Sequence, residues 1–373
     1  MAEPLKTFFS PALVRRLAAD LERVEPSFPA RAFVRRASAG LDELELMDRG
    51  KQIARALAEH LPADYPSAID VLLRSLGAEH ATDELVGAGM APFYYLPHTL
   101  FVAERGLDHF ELSFRAQYEL TKRFTAEGSI RAFIERDPER TFAKLADWTT
   151  DESAHVRRLV SEGTRLRLPW AGRVAWLDAN PTRVLALLER LKDDPTTLVR
   201  RSVANNLNDL GKSQPELTVE TCRRWLAASP SVEMTALVRH ALRSLVKRGH
   251  RGALEVLGVG VAPKVELVGA RISPKIVRVG GELRFSFSVA SLAKRTQSLV
   301  VDYVVHFVKA NGAQRPKVFK LRRISLEADA SASFEGKVSF ATMTTRQHYP
   351  GQHRLEALVN GVAFPIGDFG VRG

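Results

Sequence analysis

The chain has 373 residues, 45% of them apolar and 26% charged, with 24 Gly, 19 Pro and one Cys. That length suits two domains, each able to hold its own core, and the composition excludes collagen-like, disordered and disulfide-scaffold classes. The net charge of +11 is uneven, at -4 over residues 1–150, +6 over 151–263 and +9 over 264–373. A polyanion contacted mainly through the C-terminal part is the partner such a distribution implies.

Up to about residue 257 apolar residues recur at helical spacing, and Asn180-Pro181 and Asp194-Pro195 read as helix starts with the proline in the first turn. Val184, Leu185, Leu187, Leu188 and Leu191 make one wide apolar face. Three segments repeat a Val-Arg-Arg/His core, beginning at Val156, Val199 and Val238, at intervals of 43 and 39 residues. A period near 40 with two helices per unit is the signature of HEAT-like repeats, whose units bury their apolar faces by stacking into a solenoid. Stacked helices lie about 8–10 Å apart, so equivalent arginines form a ladder matching about three base pairs per rung. Arg157, Arg158, Arg200, Arg201, Arg239 and His240 are its rungs. The first of each pair suits an acid in the neighbouring unit as well as a phosphate, whereas the second favours phosphate.

Beyond the Gly-Val-Gly-Val-Ala-Pro stretch at 258–263 the period becomes two. Leu283, Phe285 and Phe287 alternate with Arg284 and Ser286, and turn signals at Gly280-Gly281, Asn311-Gly312, Pro350-Gly351 and Asn360-Gly361 divide about seven strands. The expected fold is therefore mainly α, a HEAT-like α-solenoid over 1–257, followed by a smaller basic all-β immunoglobulin-like sandwich over 264–373. Arg271, Lys275 and Arg278, or Lys317, Lys320, Arg322 and Arg323, are that domain's candidate grip on a polyanion.

Signatures of nucleotide, serine-hydrolase or zinc chemistry are missing. Cys222 has no second cysteine, and His348 and His353 lack a carboxylate or thiol partner, so neither metal nor cofactor is expected. No apolar run approaches the ~18 residues of a membrane span. With charges throughout the first 24 residues, a cytoplasmic chain without membrane contact is expected. What remains is Trp148 and Glu152, four residues apart beside the basic ladder, with Arg165, Arg167 and Trp170 following. A carboxylate with aromatic walls suits a cationic base and an oxocarbenium-like sugar. A packed indole and a helix cap are the other reading of the same spacing.

Several segments in order, Phe93-Tyr94-Tyr95-Leu96-Pro97-His98, Phe101 to Phe110, Glu119 to Glu127, Asp147 to Arg158, Glu162 to Trp170 and Ser202 to Leu210, resemble the AlkC branch of the bacterial DNA alkylation repair glycosylases, relatives of AlkD. The resemblance covers roughly residues 10–256, and some members of that branch carry an immunoglobulin-like domain after the helices. It implies a monofunctional DNA glycosylase acting on cationic alkylated bases of the 3-methyladenine type in double-stranded DNA, without a cofactor, as a nucleoid-associated monomer. Carried over residue by residue, it makes Glu152 and Trp148 catalytic, with Glu119 and Asp209 as further acids. Arg158, Arg165, Arg167, Trp170, Asn205 and Asn206 would line the DNA cleft. A non-catalytic HEAT-repeat adaptor that binds DNA or protein is the alternative.

Overall fold

The computed structural model describes residues 4–80, 89–259, 262–341 and 347–373; residues 260 and 261 of the connecting stretch lie outside these. Helices extend to Val256 and strands begin at Val265. The chain forms two compact units, Met1–Leu210 with Val232–His240, and Gly211–Ser231 with Ala241–Gly373. Among the described residues no helix is long and apolar enough to cross a membrane.

In the first unit the repeat is visible as paired helices. Pro138–Trp148 precedes Ala154–Gly163, and Pro181–Leu191 precedes Thr197–Leu210, each pair opening on a proline that fits the first turn. The helix Ala154–Gly163 packs against both Phe110–Thr121 and Thr197–Leu210, which puts successive units in one row. Val156, Leu159, Val199, Val203 and Leu207 are fully buried along that row, the apolar stripe expected from the repeat.

The loops that start the row helices are built alike. Asp151 Oδ1 accepts from the Ser153 N–H at 2.8 Å, and Asp194 Oδ1 accepts from the Thr196 N–H at 2.8 Å. Arg157 then donates back to the carbonyls of Asp151 (2.7 Å) and Glu152 (3.0 Å), and Arg200 does the same to Asp194 (2.6 Å) and Pro195 (2.8 Å). Sequence placed Pro195 in the first turn of its helix; the helix begins instead at Thr197, because Asp194 closes a tight turn ahead of it. The other Asp194 oxygen accepts from Arg157 Nε at 2.6 Å, tying one unit to the next. Burial alone would raise the Asp194 carboxyl pKa; the bonds from Arg157 and Thr196 outweigh it and hold the carboxyl below its ordinary range. Arg157→Ala would leave this buried carboxylate unpaired and should cost roughly 3–5 kcal/mol in chemical denaturation. Unchanged stability would contradict this structural role.

His98, on the helix Leu96–Arg105, is 1% exposed, and neither ring nitrogen has a hydrogen-bond partner among the described residues. Burial pushes its pKa down to about 3. The unfolded imidazole titrates near 6.5, so below that pH the unfolded chain takes up a proton the folded chain refuses, and stability falls as pH falls. Between pH 6.5 and 5 the wild type should lose about 2 kcal/mol more than His98→Leu, measured by urea unfolding. Equal losses would show that His98 does not carry this pH dependence.

The second unit holds a β-sandwich. Its strands are β1 (Val265–Ser273), β2 (Ile276–Arg278), β3 (Glu282–Ser291), β4 (Gln297–Val308), β5 (Gln314–Leu326), β6 (Ser331–Ser339), β7 (Gly351–Val359) and β8 (Val362–Arg372). One sheet has the order β1-β3-β6 and the other β2-β8-β7-β4-β5. About seven strands were expected. The described residues hold eight, because the short β2 pairs in parallel with β8, a contact no local pattern announces. Leu283, Phe285, Phe287 and Val289 fill the core from β3 as their alternation predicts. Strand β4 is buried on both faces at Asp302 and Val304, so its outer side is covered too. Within this unit Gly249 meets Gly361 backbone to backbone, and a Cβ on Gly361 would come within 2.2 Å of the Gly249 Cα.

Candidate functional site

The row helix Ala154–Gly163 carries Arg158 and Glu162 one turn apart, on one face of the helix. Glu162 is 5% exposed and is the hub of a buried ionic network. Its Oε1 accepts from Arg165 Nη1 at 2.6 Å and lies 3.7 Å from Arg158 Nη2, while its Oε2 accepts from the Ser202 hydroxyl at 2.6 Å. Arg165 Nε donates onward to Asp209 Oδ2 at 2.8 Å. Arg158 also reaches Glu127 Oε2 at 3.1 Å, and Glu127 in turn accepts from the Thr125 hydroxyl at 2.9 Å. Burial alone would raise the Glu162 pKa, but the guanidinium groups of Arg158 and Arg165 and the Ser202 hydroxyl prevail and hold it below its ordinary value.

Beside this network lies a cavity of about 510 Å³. Glu127 and Arg158 form part of its wall, with Phe93, Phe124 and Trp170 as aromatic sides. Phe93 meets Phe124 at 5.2 Å and Trp170 at 5.9 Å, both edge to face. Trp170 is 63% exposed. It sits in a turn closed by the Ala171 N–H and the Leu168 carbonyl at 3.4 Å, with Pro169 second and Trp170 third at φ +61°. A proline followed by a left-handed residue is the type II pattern, in which Gly or Asn normally stands third. A bulky side chain there costs energy, and strain of this kind gathers at functional sites.

The strained turn is held from behind. Arg131, 4% exposed, donates to the carbonyls of Gly163 (3.1 Å), Arg165 (2.8 Å) and Gly172 (2.8 Å), fixing both ends of the segment that carries Arg165 and Trp170. Nothing in the spacing of the sequence marks Arg131, Glu127 or Glu162 as partners, although both acids lie inside segments quoted above for the resemblance.

The structure gathers Arg158, Arg165 and Asp209 on the network and Trp170 at its edge. Asn206 is fully buried nearby and donates to the Ser161 carbonyl at 2.8 Å; Arg167 pairs with Asp178 at 2.9 Å. Trp148 is 7% exposed, packed on Phe114 and Tyr118 at 5.4 and 6.0 Å. Glu152 is exposed in the loop beyond it, with no side-chain partner among the described residues. Glu119 pairs with Arg123 at 2.8 Å, away from the network. Arg157 and Arg200 bind loop carbonyls, whereas Arg201 and Arg239 are exposed and unpaired among the described residues. His240 bonds Asn205 at 2.9 Å. On β5, Lys320 and Arg322 are exposed, Arg322 lies 5.2 Å over the Phe334 ring, and Arg323 donates to the Leu257 carbonyl at 2.9 Å. No cluster of three or more His, Cys, Asp or Glu among the described residues could hold a metal.

Residues 266–373 match the family model described as "Uncharacterised protein YhaZ, C-terminal Ig-like domain". Over 371 residues the chain is 33% identical to the protein YhaZ of Bacillus subtilis (strain 168), covering 98% of this chain and 99% of that one. It is also similar to the alkylpurine DNA glycosylase AlkC of Pseudomonas fluorescens, solved bound to DNA containing an abasic site analog. That match has 35% identity and a TM-score of 0.89, and covers 100% of both chains. Likeness at this level along the whole length, across both the helical repeats and the β-sandwich, makes the chain a member of the AlkC branch of the DNA alkylation repair glycosylase family.

Proposed function

We propose that this protein is a DNA glycosylase that hydrolyses the N-glycosidic bond of cationic alkylated bases, of the 3-methyladenine type, in duplex DNA. The observation that carries the reading is the pair of carboxylates bridged by Arg158: Glu127 on the open, aromatic side and Glu162 on the closed side. Its full-length similarity to AlkC, a DNA-bound alkylpurine glycosylase, supplies the substrate class.

The chemistry needs little more. A base methylated at N3 already carries positive charge, so the bond to C1′ breaks with both electrons passing to the base, which leaves neutral. The sugar takes up the charge as an oxocarbenium-like species. Preorganised carboxylates stabilise that charge where it develops, and Arg158 holds them in place without solvent rearrangement. Water then adds at C1′ and gives its proton to Glu127 or to solvent, leaving an abasic site. Trp170 presents a π face to the cationic nucleotide, an attraction lost once the base is neutral. No general acid is needed for the leaving group, and no metal or cofactor enters the balance.

Exposed Arg201 and Arg239 are the phosphate contacts of this reading. Arg201→Ala should lower the salt slope of DNA binding by about 1 without changing stability, while Arg157→Ala should change stability and leave the slope alone. The reading itself is tested by incubating methylated duplex DNA with the protein and separating released bases by chromatography. Free 3-methyladenine is expected; no free base alongside intact, salt-sensitive DNA binding would support the adaptor instead.

A further inference from the structure

We infer that the aromatic cavity beside Glu127 is a binding site for the excised base, a free neutral purine, so that the protein retains its own product. This rests on the glycosylase reading above. The cavity's 510 Å³ falls within the roughly 300–1,000 Å³ of small-molecule sites. Its walls are mainly apolar: Leu96, Leu100 and Ala132 line it together with Phe93 and Phe124, and Glu135 is a further carboxylate on the wall. A cationic base is drawn to the Glu127 carboxylate on the wall. Breaking the bond removes that charge, and a neutral planar ring then gains more from flat aromatic and aliphatic walls than from an ion pair. Reaction and transfer are thus coupled by chemistry: the group that leaves the sugar changes from one that suits the Glu127 carboxylate to one that suits the aromatic and aliphatic walls. Trp170, 63% exposed and flanked by the Arg165 and Gly172 carbonyls that Arg131 binds, gives the cavity wall an open aromatic face.

The test is calorimetric titration of the full-length protein, without DNA, with free 3-methyladenine, and with cytosine as a smaller control. Saturable binding of the purine is expected, with affinity at least tenfold better than for cytosine. In Ala132→Phe, which fills the cavity from the helix Ile130–Arg136, purine affinity should fall at least tenfold. Added free purine should also slow repeated turnover by the wild type. Absence of saturable binding, or an Ala132→Phe protein that binds purine as tightly as wild type, overturns the inference. Should Ala132→Phe not fold, the wild-type titration and the turnover inhibition decide it. Base release from lesion-bearing DNA with no purine added reports separately on the glycosylase reading, so the two can fail independently.

Discussion

Glu127→Gln is expected to slow single-turnover base release by about 10²–10³-fold, the loss typical when one preorganised electrostatic contact to a transition state is removed. Its side chain is 24% exposed and its partner Arg158 keeps a second carboxylate nearby, so the fold should survive. Glu162→Gln should lose activity to a similar degree but also destabilise, because Arg158 and Arg165 would face a neutral group inside the protein. Glu152→Gln should stay within a few-fold of wild type, its carboxylate being exposed and unengaged. The held ionisation of Glu162 adds a pH signature. Its lowered folded pKa contributes stability in full above the unfolded carboxyl value of about 4.3, and that share disappears as pH falls through the folded value. Base release should accordingly show no Glu162 titration between pH 6 and 8. A Glu152→Gln protein as inactive as Glu127→Gln would return the catalytic role to the loop acid.

Trp170→Gly should separate stability from activity. A non-glycine residue in the left-handed region costs roughly 1–2 kcal/mol, and glycine gives back part of that through its own unfolded freedom, about 0.5–1 kcal/mol. At 63% exposure the indole forfeits little burial when removed. The variant should therefore be as stable as wild type or more stable by up to about 1 kcal/mol, while base release falls roughly 10- to 100-fold for want of a stacking surface worth about 1–3 kcal/mol. Denaturation midpoints and single-turnover rates measured on the same preparation check both halves. A destabilised but fully active Trp170→Gly would show that the turn serves the fold alone.

Much of the architecture was legible in the sequence because it is written in local periods. Val156 and Val199 announce the repeat, and Leu283, Phe285 and Phe287 announce the sandwich, since each pattern needs only its own neighbours. Individual members of the network and the cavity wall were named as well: Arg158, Arg165 and Trp170 stand beside the basic ladder, and Asp209 came from the resemblance. What spacing could not supply was their association. Glu127 and Glu162 are brought together only by Arg158, and Arg165 meets Asp209 from the neighbouring repeat, so the network exists only once the units have stacked. The spacing of Trp148 and Glu152 suggested a shared face, yet the helix ends at Trp148, and four residues across a helix end no longer point the same way. Trp170 illustrates the converse: the strain of its turn lies in a backbone angle that no residue pattern encodes.

The proposed chemistry depends on negative charge placed to meet a positive sugar. Affinity for duplexes carrying either a cationic azasugar or a neutral tetrahydrofuran at the abasic position measures it most directly, since the first copies the transition-state charge and the second does not. At least ~10²-fold tighter binding of the cationic duplex by the wild type is expected, with most of that advantage lost in Glu127→Gln. Equal affinity of the wild type for the two duplexes would contradict it.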